Sequence, residues 1–387
     1  MTSSQLFISY EHDHLDEVVA LTEELRARAV MTWQDIDDIR KGMKFEAEIR
    51  KGLADSNGCL WYVTDESLTS EWVRNLEVPL ALKRESTFVK IPVFRSFGNY
   101  EAAKVATKES FGSDLTEFSA FMTDGSASSL ATVANGALKT FFPKNGDSSD
   151  RSVISVAMNA RSYGPSDADV VLDWYSILGR EPGQTKTWER VWHAILDVSA
   201  ALTAWSPCRS IVLSGKAHLT AGFAFGLAFP TVSGFRLTVD QGGEPWENSL
   251  QVPHTFELDT DWGDLNGDVL TIEVGTSRSV LSDASRYLEA NNLSPRARLK
   301  IEPESEPSKD AISLATAGSL ARDIAEEVNK IRAGVTPKRL LFFMACPLAL
   351  SVFIGSQLNA AGAEVVSMEF DEGEYHEALL VPSGRAR

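Results

Sequence analysis

In the stretch Ser70-Glu71-Trp72-Val73-Arg74-Asn75-Leu76-Glu77-Val78-Pro79-Leu80-Ala81-Leu82, an acid sits one turn into an apolar, helix-like segment. We read Glu77 as a catalytic carboxylate, since a fixed anion beside a reacting centre stabilises developing positive charge. The plainer reading is a solvated glutamate on a surface helix. What favours chemistry is the element just upstream. Leu60-Trp61-Tyr62-Val63-Thr64 is an aromatic and branched run bounded by polar residues, the pattern of a fully buried strand. Glu77 then lies beyond that strand's carboxyl end, where open α/β sheets place their ligands.

The other elements of the amino-terminal part follow the same logic. Gln5–Tyr10 is a short buried strand, and His12–Arg28 carries Leu15, Val18, Val19, Leu21 and Leu25 at helical spacing. Asp16 and Glu17 at its start and Arg26 and Arg28 at its end suit the helix dipole. Met31-Thr32-Trp33 is a second strand, Asp35–Lys44 a charged loop containing Gly42, and Phe45–Leu53 a helix with Phe45, Ile49 and Leu53 inward. Phe88–Phe94 is a further strand, Ser96–Thr123 reads as irregular, and Ala127–Phe142 as a closing helix. Strands alternating with helices predict a parallel sheet covered on both faces.

Composition frames these elements. A chain of 387 residues exceeds what one core usually supports, so two or three domains are expected. Hydrophobic residues at 43% and charged residues at 24% are ordinary for a globular protein. No apolar run is long enough to span a bilayer, and Met1-Thr2-Ser3-Ser4 leads into a strand without a signal-like segment, so the expectation is a cytoplasmic protein with no membrane partner. A formal charge of -17 argues against a surface for duplex nucleic acid, while leaving room for a local basic pocket. Cys59, Cys208 and Cys346 each lie among apolar neighbours, which points to free buried thiols and no metal site.

Four elements in register carry a resemblance: Phe7-Ile8-Ser9-Tyr10, the Asp35–Gly42 loop followed by Phe45-Glu46-Ala47-Glu48-Ile49, the Ala54-Asp55-Ser56 turn before the Leu60–Val63 strand, and Ser70-Glu71-Trp72 leading to Glu77. Together they resemble a TIR domain, over roughly residues 1–145. The resemblance implies a flavodoxin-like fold and, in enzymatic members, cleavage of the glycosidic bond of NAD+ at a glutamate following a Ser-x-Trp turn. The spacing from Trp72 to Glu77 is one residue longer than in the commonest pattern. NAD+ would be the substrate, with no cofactor or metal required. Its nicotinamide departs neutral from a cationic pyridinium nitrogen and needs no general acid, unlike an ordinary glycoside. One carboxylate that stabilises an oxocarbenium-like ribose is enough. Tyr10, Trp33, Phe45 and Trp72 are candidates for packing NAD+, each also readable as core, and Asp35 and Gly42 belong to the loop that shapes the cleft.

Pro143–Asp150 is rich in turn formers and has no apolar residue apart from its opening proline, which is linker chemistry. The expected division is residues 1–145, a linker over 146–151, and a second domain over 152–387. Beyond the linker, strands are predicted at Ser152–Met158, Ser210–Gly215, Phe235–Val239, Val269–Gly275, Leu299–Ile301 and Arg339–Met344. Helices are predicted at Thr187–Trp205, Leu219–Phe229, Val280–Ala290, Ala315–Ile331 and Leu348–Leu358. The blocks Thr187–Phe229 and Ala315–Leu358 are both helix-strand-helix and read as two copies of one unit, alike in pattern and not in identity.

Leu213-Ser214-Gly215 with His218, the Ala221–Gly226 helix, Gln241 with Trp246, Gly275-Thr276, and Phe343-Met344-Ala345-Cys346-Pro347 through Gly355 resemble the SAVED sensor domain of bacterial antiphage (CBASS) systems. That resemblance implies two fused Rossmann-like, CARF-like halves binding a cyclic oligonucleotide, commonly cyclic tri-adenylate. Such a site needs backbone N–H groups at helix N-termini for phosphates and flat side chains for bases. The turns Ser214–Lys216, Gly275–Arg278 and Ala345–Pro347 offer the first and Trp246 the second, with Lys216 and Arg278 as counter-charges. Each also has a plain reading, a solvated surface cation or, for His218, a satisfied core residue. TIR fused to SAVED is similar to NAD+-degrading effectors that assemble head to tail, as filaments, when the messenger binds. The competing expectation is a non-enzymatic TIR scaffold that recruits another TIR protein.

Overall fold

In the computed structural model the apolar runs become the central strands of three sheets; residues 5–34, 45–142, 152–162, 167–179, 184–250, 252–358 and 362–384 are described. Contacts divide the chain into two units. One comprises Met1–Asp150, Ser166–Asp173 and Ala200–Pro207; the other comprises Arg151–Pro165, Trp174–Ser199 and Cys208–Arg387.

The first unit is built on β1 (Gln5–Ser9), β2 (Met31–Trp33), β3 (Gly58–Val63), β4 (Val89–Arg95) and β5 (Phe121–Thr123). These are all parallel, in the order β2-β1-β3-β4-β5. That is the flavodoxin-like order, whose direction of winding reverses between β1 and β3 and opens a crevice beyond their carboxyl ends. All six residues of β3 are buried, as a strand covered on both faces must be. Helix α1 (Leu15–Ala27) packs with the helix Ala127–Phe141, while Phe45–Asp55 contributes Ile49 and Leu53 to a core that includes Phe7, Cys59, Trp61 and Phe94.

The segment read as irregular contains a helix, Tyr100–Phe111, and the strand β5. Asn99 accepts a hydrogen bond from the Ala102 N–H, and Gly112 ends the helix at φ +67°. Both are ordinary helix punctuation. Its sequence has few large apolar residues, so the 3.6-residue period is faint.

In the second unit, β6 (Ile154–Asn159), β8 (Ser210–Lys216) and β9 (Arg236–Gln241) are parallel, and β10 (Glu244–Glu247) folds back on β9 through Gly242 and Gly243, both at positive φ. Strand β7 (Val170–Asp173) belongs to the first unit's contacts. The third sheet has the order β11-β13-β12-β14-β15-β16. Its centre is β12 (Val269–Val274), β13 (Pro295–Pro303), β14 (Arg339–Met344) and β15 (Glu364–Asp371), all parallel; β11 (Phe256–Trp262) and β16 (Glu374–Val381) close it antiparallel at its two edges. Strands β11, β15 and β16 were not foreseen, and β13 is longer than its predicted core of three residues.

The two helix-strand-helix blocks are present as Thr185–Trp205, β8, Leu219–Ala228 and as Ala317–Val335, β14, Leu348–Gln357. Their second helices, apolar on every side, are almost wholly buried and pack on each other. The contact is backbone to backbone. A Cβ added at Gly226 would lie 2.0 Å from the Val352 carbonyl oxygen, and one at Gly355 would lie 2.3 Å from that of Phe223. Gly222 meets Leu348 and Ser351 while Gly226 meets Val352 and Ser356, so residue numbers rise together along both helices. The pair is parallel, and both N-termini point the same way.

Candidate functional site

Glu77 is 7% exposed, and the Ser9 hydroxyl at the end of β1 donates to its Oε2 at 2.5 Å. Since β1 neighbours β3, this carboxylate stands at the crevice where the sheet's winding reverses. The backbone that delivers it is unusual. Residues 71–82 are continuously helical, but Val73–Glu77 forms a π-turn between α-helical turns. A π-turn takes one extra residue into a helix without breaking it, and such turns recur at functional sites. The extra residue between Trp72 and Glu77 is absorbed there. Below, Cys59 is fully buried; burial and the nearby Glu77 charge both push its thiol well above the ordinary range. It is an inert core thiol.

The aromatic candidates divide. Trp72 is 44% exposed, and its ring meets Phe45 edge-on with centroids 5.1 Å apart. Phe45 opens the helix Phe45–Asp55 and Trp72 lies in the first turn of the Glu77 helix, so the pair joins the two helix starts, and the exposed part of Trp72 could pack a flat ligand. Trp33 instead stacks on Phe7 at 4.8 Å and fills the space over Gly52, where an added Cβ would lie 2.4 Å from the indole. Tyr10 is buried, with its ring 5.4 Å from that of His12. Asp35 and Gly42 lie outside the described residues, as does the linker stretch 146–151.

In the second unit, the parallel helices Leu219–Ala228 and Leu348–Gln357 begin at His218 and Pro347. Ser214–Lys216, expected as a turn, is instead the end of β8, paired with Ala157–Asn159, while Ala345–Pro347 leads into the second helix. Two aligned helix dipoles favour an anion at their shared N-terminal end. Gly215 adopts φ +113°, where a Cβ would strike the Met158 carbonyl oxygen at 2.3 Å. The expected turn Gly275–Arg278 is tied in by the Ser277 N–H donating to the Ala345 carbonyl at 2.8 Å, which brings Gly275 and Thr276 beside Ala345 and Cys346. Lys216 is exposed. Arg278 donates to Asp283 at 2.7 Å and lies 4.2 Å over the Phe370 ring. Gln241 accepts from the Ala349 N–H at 3.0 Å, capping the second helix, and Trp246 is buried in β10 opposite Val239. Met344 is buried at the end of β14. Burial pushes the Cys346 thiol up to about 12. Cys208, expected to be buried, is only partly so; all three cysteines are free.

A family model described as the SMODS-associated and fused to various effectors sensor domain, SAVED, matches residues 196–381, and a TIR domain model matches residues 6–120. The chain joins a TIR domain to a SAVED domain. Among solved structures, the Acinetobacter baumannii Cap4 SAVED/CARF-domain containing receptor with the cyclic trinucleotide 2'3'3'-cAAA aligns with a TM-score of 0.51 at 12% identity, over 89% of this chain and 86% of that one. The same receptor with 3'3'3'-cAAA aligns with a TM-score of 0.50 at 11% identity, over 95% and 97%. At such identities the likeness is one of fold. No curated protein matches the chain.

The SAVED domain also gathers side chains that sequence reasoning missed. Glu369 in β15 is 6% exposed; its Oε1 lies 2.9 Å from His218 Nδ1 and 3.6 Å from the Arg161 guanidinium. Arg161 follows β6 and Glu369 lies in the other half, so the cluster bridges the two copies. A carboxylate set between Met368 and Phe370 was the signal available in the sequence. Two buried oxygens here, Glu369 Oε2 and Thr276 Oγ1, have no hydrogen-bond partner among the described residues. Leaving a buried acceptor unpaired costs about 1–3 kcal/mol. In the TIR domain, the network missed was Glu17 with Arg95, at 2.7 and 3.0 Å, and with Tyr62.

Among the described residues, no helix is long and apolar enough to cross a membrane, and no cluster of His, Cys, Asp or Glu is arranged to hold a metal ion.

Proposed function

We propose that this chain is a cytoplasmic antiphage effector in which a cyclic oligonucleotide, cyclic tri-adenylate for preference, binds the SAVED domain and switches on NAD+ cleavage by the TIR domain. The observation that carries the catalytic half is the Glu77 carboxylate, buried at the sheet's crevice and held by Ser9. The ribose of NAD+ would sit over Glu77 with a flat ring against Trp72 and Phe45, and Tyr10 and Trp33 supporting from within. The carboxylate stabilises the oxocarbenium-like ribose as the neutral nicotinamide leaves, and water completes the hydrolysis. No cofactor takes part.

For the sensor half, the support is the pair of parallel helix N-termini at the carboxyl ends of β8 and β14. Phosphates of the messenger would bind at these helix N-termini, beside Thr276 and Cys346, with Lys216, His218 and Arg278 as polar partners. The Cap4 receptor structures aligned above, similar in fold, hold cyclic trinucleotides. Residues 1–145 would form the effector and 152–387 the sensor.

An always active NAD+ hydrolase would kill its host, so the messenger must shift the population of a competent state, which requires tighter binding to that state. Head-to-tail self-association is the means proposed here; such heterologous contacts propagate as open filaments. The test is incubation of the full chain with NAD+ and each cyclic di- and trinucleotide, reading released nicotinamide. Release with one messenger and none without it supports the reading. No release with any messenger, alongside tight messenger binding, would favour a TIR scaffold that recruits another TIR protein.

A further inference from the structure

Glu369 is over-provided for its structural role. One oxygen, Oε1, lies 2.9 Å from the His218 ring nitrogen and faces the Arg161 guanidinium at 3.6 Å, while Oε2 is buried without a hydrogen-bond partner among the described residues. The proton inventory makes this sharper. Arg161 Nη2 also lies 3.3 Å from His218 Nδ1. A guanidinium has only N–H donors, and Nδ1 cannot both donate to Glu369 and accept from Arg161. A buried carboxylate oxygen needs a donor, so the consistent assignment is His218 Nδ1–H donating to Glu369. Arg161, whose side chain is 55% exposed, then keeps in this cluster only the 3.6 Å ion pair to Glu369 Oε1, too long for a hydrogen bond.

The surroundings fix the rest. His218 is the residue before the Leu219–Ala228 helix, and its ring lies edge-on to the buried Trp188 at 5.9 Å, which holds the imidazole from behind. Thr220 and Ser367 share a hydrogen bond at 3.0 Å one step deeper, so β15 and the helix are fixed to each other beneath Glu369. The cluster therefore offers one buried acceptor and one half-exposed cation beside a helix N-terminus. That pairing suits a molecule carrying both a phosphate and an N–H or O–H donor.

We infer that Glu369 is a specificity-determining residue of the sensor site: as the messenger binds, Arg161 turns from the cluster to a phosphate and uncovers Oε2, buried in the free protein, which then accepts a hydrogen bond from the messenger. The inference rests on the proposed sensor function of this domain. The donor is either an exocyclic amine of a base or a ribose hydroxyl, and the experiment separates the two.

Calorimetric titration of the full chain with cyclic tri-adenylate, cyclic tri-inosinate and cyclic tri-2′-deoxyadenylate tests it. Removing the donor that Glu369 receives is expected to weaken binding at least about tenfold, the size of a hydrogen bond to a charged group. The inosinate reports the base amine and the deoxyadenylate the ribose hydroxyl. In Glu369→Gln that difference shrinks to about twofold or less, while Arg161→Gln weakens all three ligands alike. The analogue series in the parent protein decides the matter even if the variant unfolds. Equal affinity of the parent for all three ligands, or full discrimination retained by Glu369→Gln, overturns the inference while leaving the sensor reading intact. Absence of binding by every cyclic trinucleotide overturns both.

Discussion

The Ser9 hydroxyl and the Glu77 carboxylate, 68 positions apart in the chain, meet at 2.5 Å inside the crevice between β1 and β3. Strand β1 ends at Ser9, and the helix carrying Glu77 follows β3, so the contact is made by the parallel pairing of those two strands. A serine that donates to a carboxylate fixes which oxygen faces the crevice.

Replacing Glu77 with glutamine removes the charge and keeps the shape. Messenger-stimulated nicotinamide release should fall by roughly 10²-fold or more, the scale seen when a transition-state charge partner is removed. Assembly followed by light scattering should be unchanged. Release at the parental rate would refute the role of this residue.

Ser9→Ala tests positioning separately from chemistry. A hydrogen bond to a charged group is worth about 1.5–3 kcal/mol, so kcat should drop by roughly tenfold or more. KM should hold, because Ser9 is buried behind Glu77. Ser9→Thr, which keeps the hydroxyl, should recover most of the rate. A rise in KM with unchanged kcat would show that Ser9 serves substrate binding and not Glu77.

The glycine contact between the helices of the sensor predicts a stability difference. Gly226→Ala places a Cβ 2.0 Å from one backbone atom and 2.8 Å from another, so the helices must part, at a cost of about 1–3 kcal/mol. Gly334→Ala, in a helix with nothing within 4 Å of the new atom, should instead stabilise by up to about 1 kcal/mol. Denaturant midpoints of the two variants should move in opposite directions. Gly226→Ala should also weaken messenger binding, since it splays the two N-termini.

Acidification should destabilise the TIR domain through Glu17. The hydrogen bonds from Arg95 hold its carboxyl below the ordinary value of 4.5. Because the folded value is depressed, the stabilisation is complete above the unfolded value and is lost as pH falls through the folded one. Unfolding free energies of the parent should therefore decline on going below about pH 4.5 more steeply than those of Glu17→Gln. Parallel slopes would remove Glu17 from the account.

Much of this architecture was legible because buried parallel strands write themselves as apolar runs: Leu60–Val63, Val269–Val274 and Arg339–Met344 all became central strands. The resemblance to TIR and SAVED families was carried by turns adjoining those strands. What escaped notice was polar. The helix Tyr100–Phe111 has few large apolar residues, the edge strand β11 alternates but carries three acids in seven residues, and the β15–β16 hairpin follows the last predicted helix without a long apolar run. Losing β15 meant losing Glu369. Arg161, His218 and Glu369 share no local pattern, since their proximity is created by two sheets and one helix. The π-turn could be suspected from the one-residue excess between Trp72 and Glu77, but a count of residues does not say how a helix will absorb it.

The bare glycine faces of Leu219–Ala228 and Leu348–Gln357 carry a consequence for the duplicated sensor. Each copy contributes a helix whose main chain packs directly against the other's. Excised, either copy would present a strip of naked peptide groups and apolar side chains, so the repeats have forfeited independence and must fold, turn over and diverge as one.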